Sequence, residues 1–177
     1  MRVAAFLRGC SPRYSALMIE LERAAPGDWK LVRTVRLRAL ADSPDAFAST
    51  LAQEEELELD AWRERLVTAA TFLAHVEGEA VGMVTAAPFR GRPEAAGLFG
   101  MWVAPDWRGS GAADRLVETV IDWARTEGFR RVVLEVANEN AAAIALYRRL
   151  GFERTGATAT LPAPRTHITE HERALEL

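Results

Sequence analysis

The chain has 177 residues, 49% hydrophobic and 27% charged, a length at which an ordinary globular core needs no disulfide or metal staple. Lys plus Arg is 22 and Asp plus Glu is 25, a net charge of −3, which argues against a phosphate backbone as the main partner and so against nucleic acid. Cys10 is the only cysteine, no Cys/His cluster has zinc-site spacing, and no apolar run reaches the ~20 residues that span a bilayer, so the expectation is a cytoplasmic protein without metal or membrane partner.

Residues 1–18 carry Arg2, Arg8 and Arg13, no acidic residue and no period, and read as a poorly ordered leader before a single domain at 19–177. Ile19–Arg23 is a strand candidate, followed by a turn at Pro26-Gly27 and an expected N-cap at Asp28. The next helix sets Leu31, Val32, Val35 and Ala39 on one stripe, and Asp42-Ser43-Pro44-Asp45 breaks it. A second helix is expected over Ala48–Val67, with Glu54, Glu55, Glu56, Glu58 and Asp60 as a solvated acidic face or, alternatively, the rim of a site favouring cationic amines. Strands follow at Thr71–Val76, Ala80–Ala87 and Ala95–Val103. Beyond Pro105 the period becomes helical, with Leu116, Val117, Val120, Ile121 and Ala124 in one stripe that stops at Gly128. Val132–Val136 is a strand, Asn140–Leu150 a helix ended by Gly151, and Phe152–Thr155 and Arg173–Leu177 are the last strand candidates. The order β α α β β β α β α β β implies an α+β fold: a mixed, mostly antiparallel central sheet flanked by helices, with a β-α-β unit in the middle.

The most informative segment is Arg108-Gly109-Ser110-Gly111-Ala112-Ala113, between a strand and an amphipathic helix. Small residues at a helix N-terminus leave backbone N–H groups uncovered where the helix dipole is positive, the makings of a phosphate cradle. The string is neither a Walker loop nor a dinucleotide fingerprint, since Asp114 stands where a third glycine would be needed. A tight turn that binds nothing also fits the loop alone. Further on, Asn140 and Tyr147 lie seven residues apart, two helical turns, and share a face.

Taken together, Val103-x-Pro105-x-Trp107-Arg108-x-x-Gly111-x-Ala113 and Asn140-x-x-Ala143-Ile144-x-Leu146-Tyr147-x-x-Leu150-Gly151-Phe152 closely resemble the GNAT superfamily of coenzyme A-dependent N-acyltransferases. The resemblance implies acetyl-CoA as co-substrate, with the strand residues Met101, Trp102 and Val103 on the pantetheine arm. It implies the loop amides from Arg108 to Ala113 (Gly109, Ser110, Gly111 and Ala112 between them) on the pyrophosphate, Asn140 on the cofactor, and Tyr147 near the sulfur. Asp114 departs from the family's frequent basic or hydroxyl residue and sets a carboxylate beside the phosphates.

Transfer from a thioester to an amine needs a polarised carbonyl, an exit for the thiolate and a neutral amine. Tyr147 is the expected proton donor to sulfur, and packing of its ring on the sheet is the alternative. Glu135, on the strand face opposite Val132, Leu134 and Val136, is the candidate base or else pairs with a surface arginine; His75, His167 and His171 are read as surface or strand-partner residues. The expected activity is acetyl transfer from acetyl-CoA to a primary amine of a small molecule, peptide or protein, in a chain that could form a homodimer. A non-catalytic acyl-CoA sensor on the same fold is the alternative.

Overall fold

A computed structural model describes residues 18–177; the leader expected at 1–18 falls, Met18 apart, outside the described residues. Seven strands form one sheet in the order β1-β2-β3-β4-β5-β7-β6: β1 Glu20–Arg23, β2 Ala70–Val76, β3 Glu79–Phe89, β4 Arg92–Val103, β5 Arg131–Ala137, β6 Glu153–Thr160 and β7 Thr169–Glu176. Every neighbouring pair is antiparallel except β4 with β5. The helices are α1 Trp29–Asp42, α2 Leu51–Glu55, α3 Leu59–Thr68, α4 Ala112–Thr126 and α5 Ala141–Arg149. This is the mixed α+β architecture with a central β4-α4-β5 unit that the order of elements implies.

Two cores lie on opposite sheet faces. The α4 stripe of Leu116, Val117, Val120 and Ala124, with Leu146 and Tyr147 of α5, packs on Phe72, Val81, Leu98, Val132 and Leu134. On the other face Val32, Val35 and Leu40 of α1 and Leu66 of α3 cover Leu73, Met83 and Trp102. No helix among the described residues is long and apolar enough to cross a membrane.

Several local expectations change. The single helix Ala48–Val67 is two helices: Thr50 and Gln53 form a capping box at the start of α2, and Glu58, in an extended conformation, restarts the chain as α3. A continuous helix would stack Glu54 over Glu58 at a repulsive i,i+4 spacing. Asp28 occupies the N-cap position of α1 as expected but makes no side-chain capping bond to the helix; its carboxylate accepts from the Ala25 N–H at 2.8 Å, closing a 3-10 turn at Pro26–Asp28. β3 and β4 continue through Pro88 and Pro93 into a tight hairpin at Arg90-Gly91. Pro88 is tolerated because β2 ends opposite Ala86, so that side of β3 has no neighbour to bond there. β6 and β7 are likewise longer than the apolar pattern suggests, because β6 is an exposed edge strand whose alternation carries little hydrophobic signal.

Candidate active site

The parallel ladder of β4 and β5 holds only over Ala95–Gly97 and Arg131–Val133. Beyond it β4 keeps β3 on one side, β5 keeps β7 on the other, and the sheet splits between them. On the open edge of β4 around Trp102, the backbone groups of Met101 and the N–H of Val103 therefore have no strand partner and can pair with an extended ligand arm, while those of Trp102 itself turn toward β3. β4 also carries one extra residue against β3 between the pairs Thr85/Phe99 and Met83/Trp102, at Gly100 with φ 60°. This bulge shifts the alternation by one: Leu98 and Val103 pack on the α4 side, Trp102 on the α1 side.

The split leads at its far end to the glycine loop. Gly109 and Gly111 have φ 79° and 92°, and Gly111 occupies the N-cap position of α4. No heavy atom lies within 4 Å of where a Cβ on either would stand. The amides of Gly109, Gly111 and Ala113 donate to no partner among the described residues, whereas those of Arg108, Ser110 and Ala112, also expected on the pyrophosphate, are engaged within the turn, donating to Pro105 O at 3.2 Å, Trp107 O at 3.3 Å and Ser110 Oγ at 3.3 Å. Glycine is required here by backbone conformation, and the result is a set of open donors at the positive end of a 15-residue helix. The open edge of β4 and these free amides fit the pantetheine arm and the pyrophosphate of coenzyme A. Asp114 does not face the loop as a bare charge, because Arg149 of α5 binds its Oδ1 at 2.6 and 3.0 Å.

Arg108 supplies its backbone to the loop, while its side chain turns back: Nε donates to Val103 O at 3.1 Å and the guanidinium pairs with Asp42. Asp42 also accepts from Trp102 Nε1 at 2.9 Å and from Ser43 Oγ at 2.6 Å. Burial alone would raise the Asp42 pKa, but the hydrogen bonds of Ser43, Trp102 and Arg108 and the Arg108 charge bring it below the ordinary carboxylate value. Asp42 thus joins the end of α1, β4 and the loop, a role invisible in a residue read as a helix breaker.

Asn140 is the N-cap of α5, its Oδ1 accepting from Ala143 N–H at 3.1 Å. Two turns on, Tyr147 is 5% exposed, its ring edge-on to Phe152 at 5.7 Å, so packing is one of its functions. Its hydroxyl has no hydrogen-bond partner among the described residues, and burial pushes its pKa above that of an ordinary phenol. The side chain is a neutral O–H donor at every working pH.

Glu135 is exposed and stands on the α1 face of the sheet, opposite Glu172 of β7. Glu172 is held by Arg92 through two bonds of 2.8 and 2.9 Å. Glu170, one step away on the same face, has its carboxyl raised by burial and then by the Glu135 charge, partly offset by Arg165. His171 is buried and neutral: Arg173 Nε donates to its Nε2 at 3.1 Å, so its Nδ1–H donates to Asn138 Oδ1 at 2.7 Å. It is a strand-partner residue as expected.

Two cavities adjoin these groups. One, about 630 Å³, lies between the end of α1 and the start of α5 and is lined by Asp42, Asp45, Asn140 and His167. Arg165, from the β6–β7 connection, bonds Pro44 O and, at 2.9 Å, Ala48 O, tying that connection across to the α1–α2 turn. The other, about 340 Å³, lies under α1 to α3 and reaches β4 at Phe99 and Gly100. It contains Glu54, only 2% exposed. Glu55, Glu56, Glu58 and Asp60 are solvated as the first reading holds, but Glu54 turns inward to Arg36, Ser49 and Arg65.

These features define a class, and comparison with known proteins agrees. Residues 36–152 match the Acetyltransferase (GNAT) family, and the chain belongs to it. It is 33% identical over 109 residues to the "Probable N-acetyltransferase camello" of Xenopus laevis, covering 62% of this chain and 50% of that protein, so it spans about half the length of that relative. Among solved structures it is similar to a ribosomal-protein-alanine N-acetyltransferase from Brucella melitensis, with TM-score 0.74 and 23% identity over 89% of this chain and 99% of that one. A Salmonella typhimurium protein solved with its cofactor acetyl-CoA aligns with TM-score 0.73 and 22% identity over 90% and 94% of the two chains.

Proposed function

We propose that this protein transfers an acetyl group from acetyl-CoA to a primary amine by direct attack within a ternary complex. The observation that carries the reading is the split between β4 and β5, continuous at one end with uncovered loop amides; the unpartnered phenol of Tyr147 lies in the core on the α4 side of that sheet. In this reading the amides of Gly109, Gly111 and Ala113 hold the pyrophosphate, the open edge of β4 at Met101 and Val103 pairs with the pantetheine arm, and the amide nitrogen of Asn140, free once its oxygen has capped α5, adds a donor. Bound acetyl-CoA supplies the acyl group as a thioester.

A backbone N–H at the Gly100 bulge donates to the carbonyl oxygen where negative charge develops. Tyr147 donates a hydrogen bond to the departing sulfur. Because its pKa is raised, complete proton transfer to a thiolate of ordinary pKa near 8.5 is uphill, so the hydroxyl stabilises charge and water completes the protonation. The amine proton leaves through Glu135 and its neighbour Glu170, whose raised carboxyl is better matched to neutral pH than an ordinary carboxylate.

The test mixes the protein with acetyl-CoA and a panel of primary amines and follows free thiol. Release that requires both amine and protein is expected. Coenzyme A binding with no thiol release for any amine would instead support the acyl-CoA sensor.

A further inference from the structure

Two residues lining the cavity under α1 to α3 carry a buried donor without a hydrogen-bond partner among the described residues, Trp62 at the neutral indole Nε1 and Arg36 at the charged Nη1, and only the second can pair with an anion at full charge. Arg36 of α1 is held on three sides: its Nε lies 3.2 Å from both Glu54 oxygens, Nη2 lies 2.9 Å from Glu54 Oε1 and 3.0 Å from Ser49 Oγ, and its guanidinium carbon stands 4.5 Å from the centre of the Phe47 ring. These contacts fix the guanidinium plane and leave Nη1 over. Nη1 is buried with no hydrogen-bond partner among the described residues. It lies 3.4 Å from where a Cβ on Gly100 would stand, beside the β4 bulge. Buried guanidinium N–H groups are rarely left unpaired, and an oriented one at a cavity wall selects an oxygen anion.

The charge count agrees. Glu54 also pairs with Arg65 at 3.0 Å, so two guanidinium groups share one carboxylate and the cavity keeps an excess positive charge. Trp62, Leu66, Met83 and Phe99 supply apolar wall. The alternative of a rim favouring cationic amines, drawn from the acidic run at Glu54–Asp60, is therefore reversed within this cavity.

We propose that the acceptor is an amino-acid-like amine, bearing a carboxylate close to its nitrogen and an apolar arm, and that Arg36 is the specificity residue whose Nη1 binds that carboxylate. This rests on the reading of the bulge as the reacting end. The amine must reach the acyl carbon there, and Nη1 stands beside it, so the anion it pairs with has to lie within a bond or two of the amine nitrogen. The apolar arm then extends toward Trp62 and Met83.

Three probes share one arm: phenylalanine, its carboxamide, and 2-phenylethylamine. With acetyl-CoA, and at equal concentrations of unprotonated amine, phenylalanine should show a kcat/KM about 10- to 100-fold above the other two. Calorimetry in the presence of coenzyme A should rank the three in the same order. Replacing the pair together, Arg36→Gln with Glu54→Gln, removes both partners of the buried ion pair and should bring the ratio to about one. Equal or better use of the carboxamide, an undiminished ratio in the paired variant, or binding of none of the three overturns the anchor. Thiol release from other amines without this preference would overturn the anchor alone and leave the acetyltransferase reading standing; if no amine releases thiol, that reading fails, and the calorimetric ranking still decides the anchor.

Discussion

The two sides of β4 are built by different means. Its open edge and the loop that follows act through backbone: a bulge at Gly100, positive φ at Gly109 and Gly111, and donors left free at the start of α4. Its α1 face acts through side chains brought from far apart, with Arg36, Ser49, Glu54, Arg65 and Phe99 converging on one cavity. A backbone-built site tolerates changes in side chain but not in conformation, and a site built of buried charges does the opposite. The proposed division of labour follows, with a constant cofactor held by the first and a particular acceptor read by the second.

The largest effect is expected where a buried charge loses its partner. Glu54→Ala leaves Arg36, with a side chain only 12% exposed, without its carboxylate, and should destabilise the fold by about 3 to 5 kcal/mol in denaturant titration. A cost near that of a surface substitution would show that the cavity charges are solvated. Burial tends to raise the Glu54 pKa, but Arg36, Ser49 and Arg65 together lower it. Its stabilising contribution is therefore full above the ordinary carboxylate value and lost as the pH falls through the lowered one.

Tyr147→Phe comes next. It keeps the ring against Phe152, so melting temperature and coenzyme A affinity should change little while kcat falls by roughly 10²-fold, the loss expected for one hydrogen-bond donor to developing charge, because the sulfur already leaves well. Full turnover in the Phe variant would make Tyr147 a packing residue only. Asp42→Ala, which strips partners from Trp102 Nε1 and the Arg108 guanidinium, should cost about 1 to 3 kcal/mol of stability and weaken coenzyme A through the displaced loop. Unchanged affinity would show that the loop holds its own shape.

The smallest expected effect is in pH dependence. Burial first, then the charges of Arg154 and Arg173, lower the His171 pKa below its ordinary 6.5, so the unfolded chain binds the proton more readily than the fold. The stability held by neutral His171 is present above that value and lost as the pH falls through it. Between about pH 7 and about pH 5 the wild type should lose more stability than His171→Gln; parallel curves would show that His171 is charged in the fold.

The division between the two sides of β4 also governs what the sequence can reveal. Gly109, Gly111 and the cap at Asn140 are local signals, because positive φ and an N-cap select residue types within a few positions, and the α4 stripe is a local period. The resemblance to the family rests on those same segments. The inward turn of Glu54 has no local signature: within Glu54-Glu55-Glu56 the three residues are chemically alike, and only Arg36, eighteen positions earlier, distinguishes one of them. The Gly100 bulge could be suspected from a glycine inside a strand, although its one-residue shift of alternation depends on the register with β3. Asp42 is a helix-ending residue by its neighbours and a link between α1 and β4 only by tertiary packing.

The claim that the cofactor half is built of backbone is tested most directly by calorimetry on wild type and Gly111→Ala with two ligands, coenzyme A and its pantetheine fragment, which lacks the pyrophosphate. At Gly111 an added methyl meets open space, but φ 92° is strained for any residue with a Cβ, so the substitution moves the loop amides without filling the site. A phosphate cradle made of backbone amides should lose about 10-fold in affinity for coenzyme A and nothing for pantetheine. Equal loss for both ligands, or loss for neither, would contradict it.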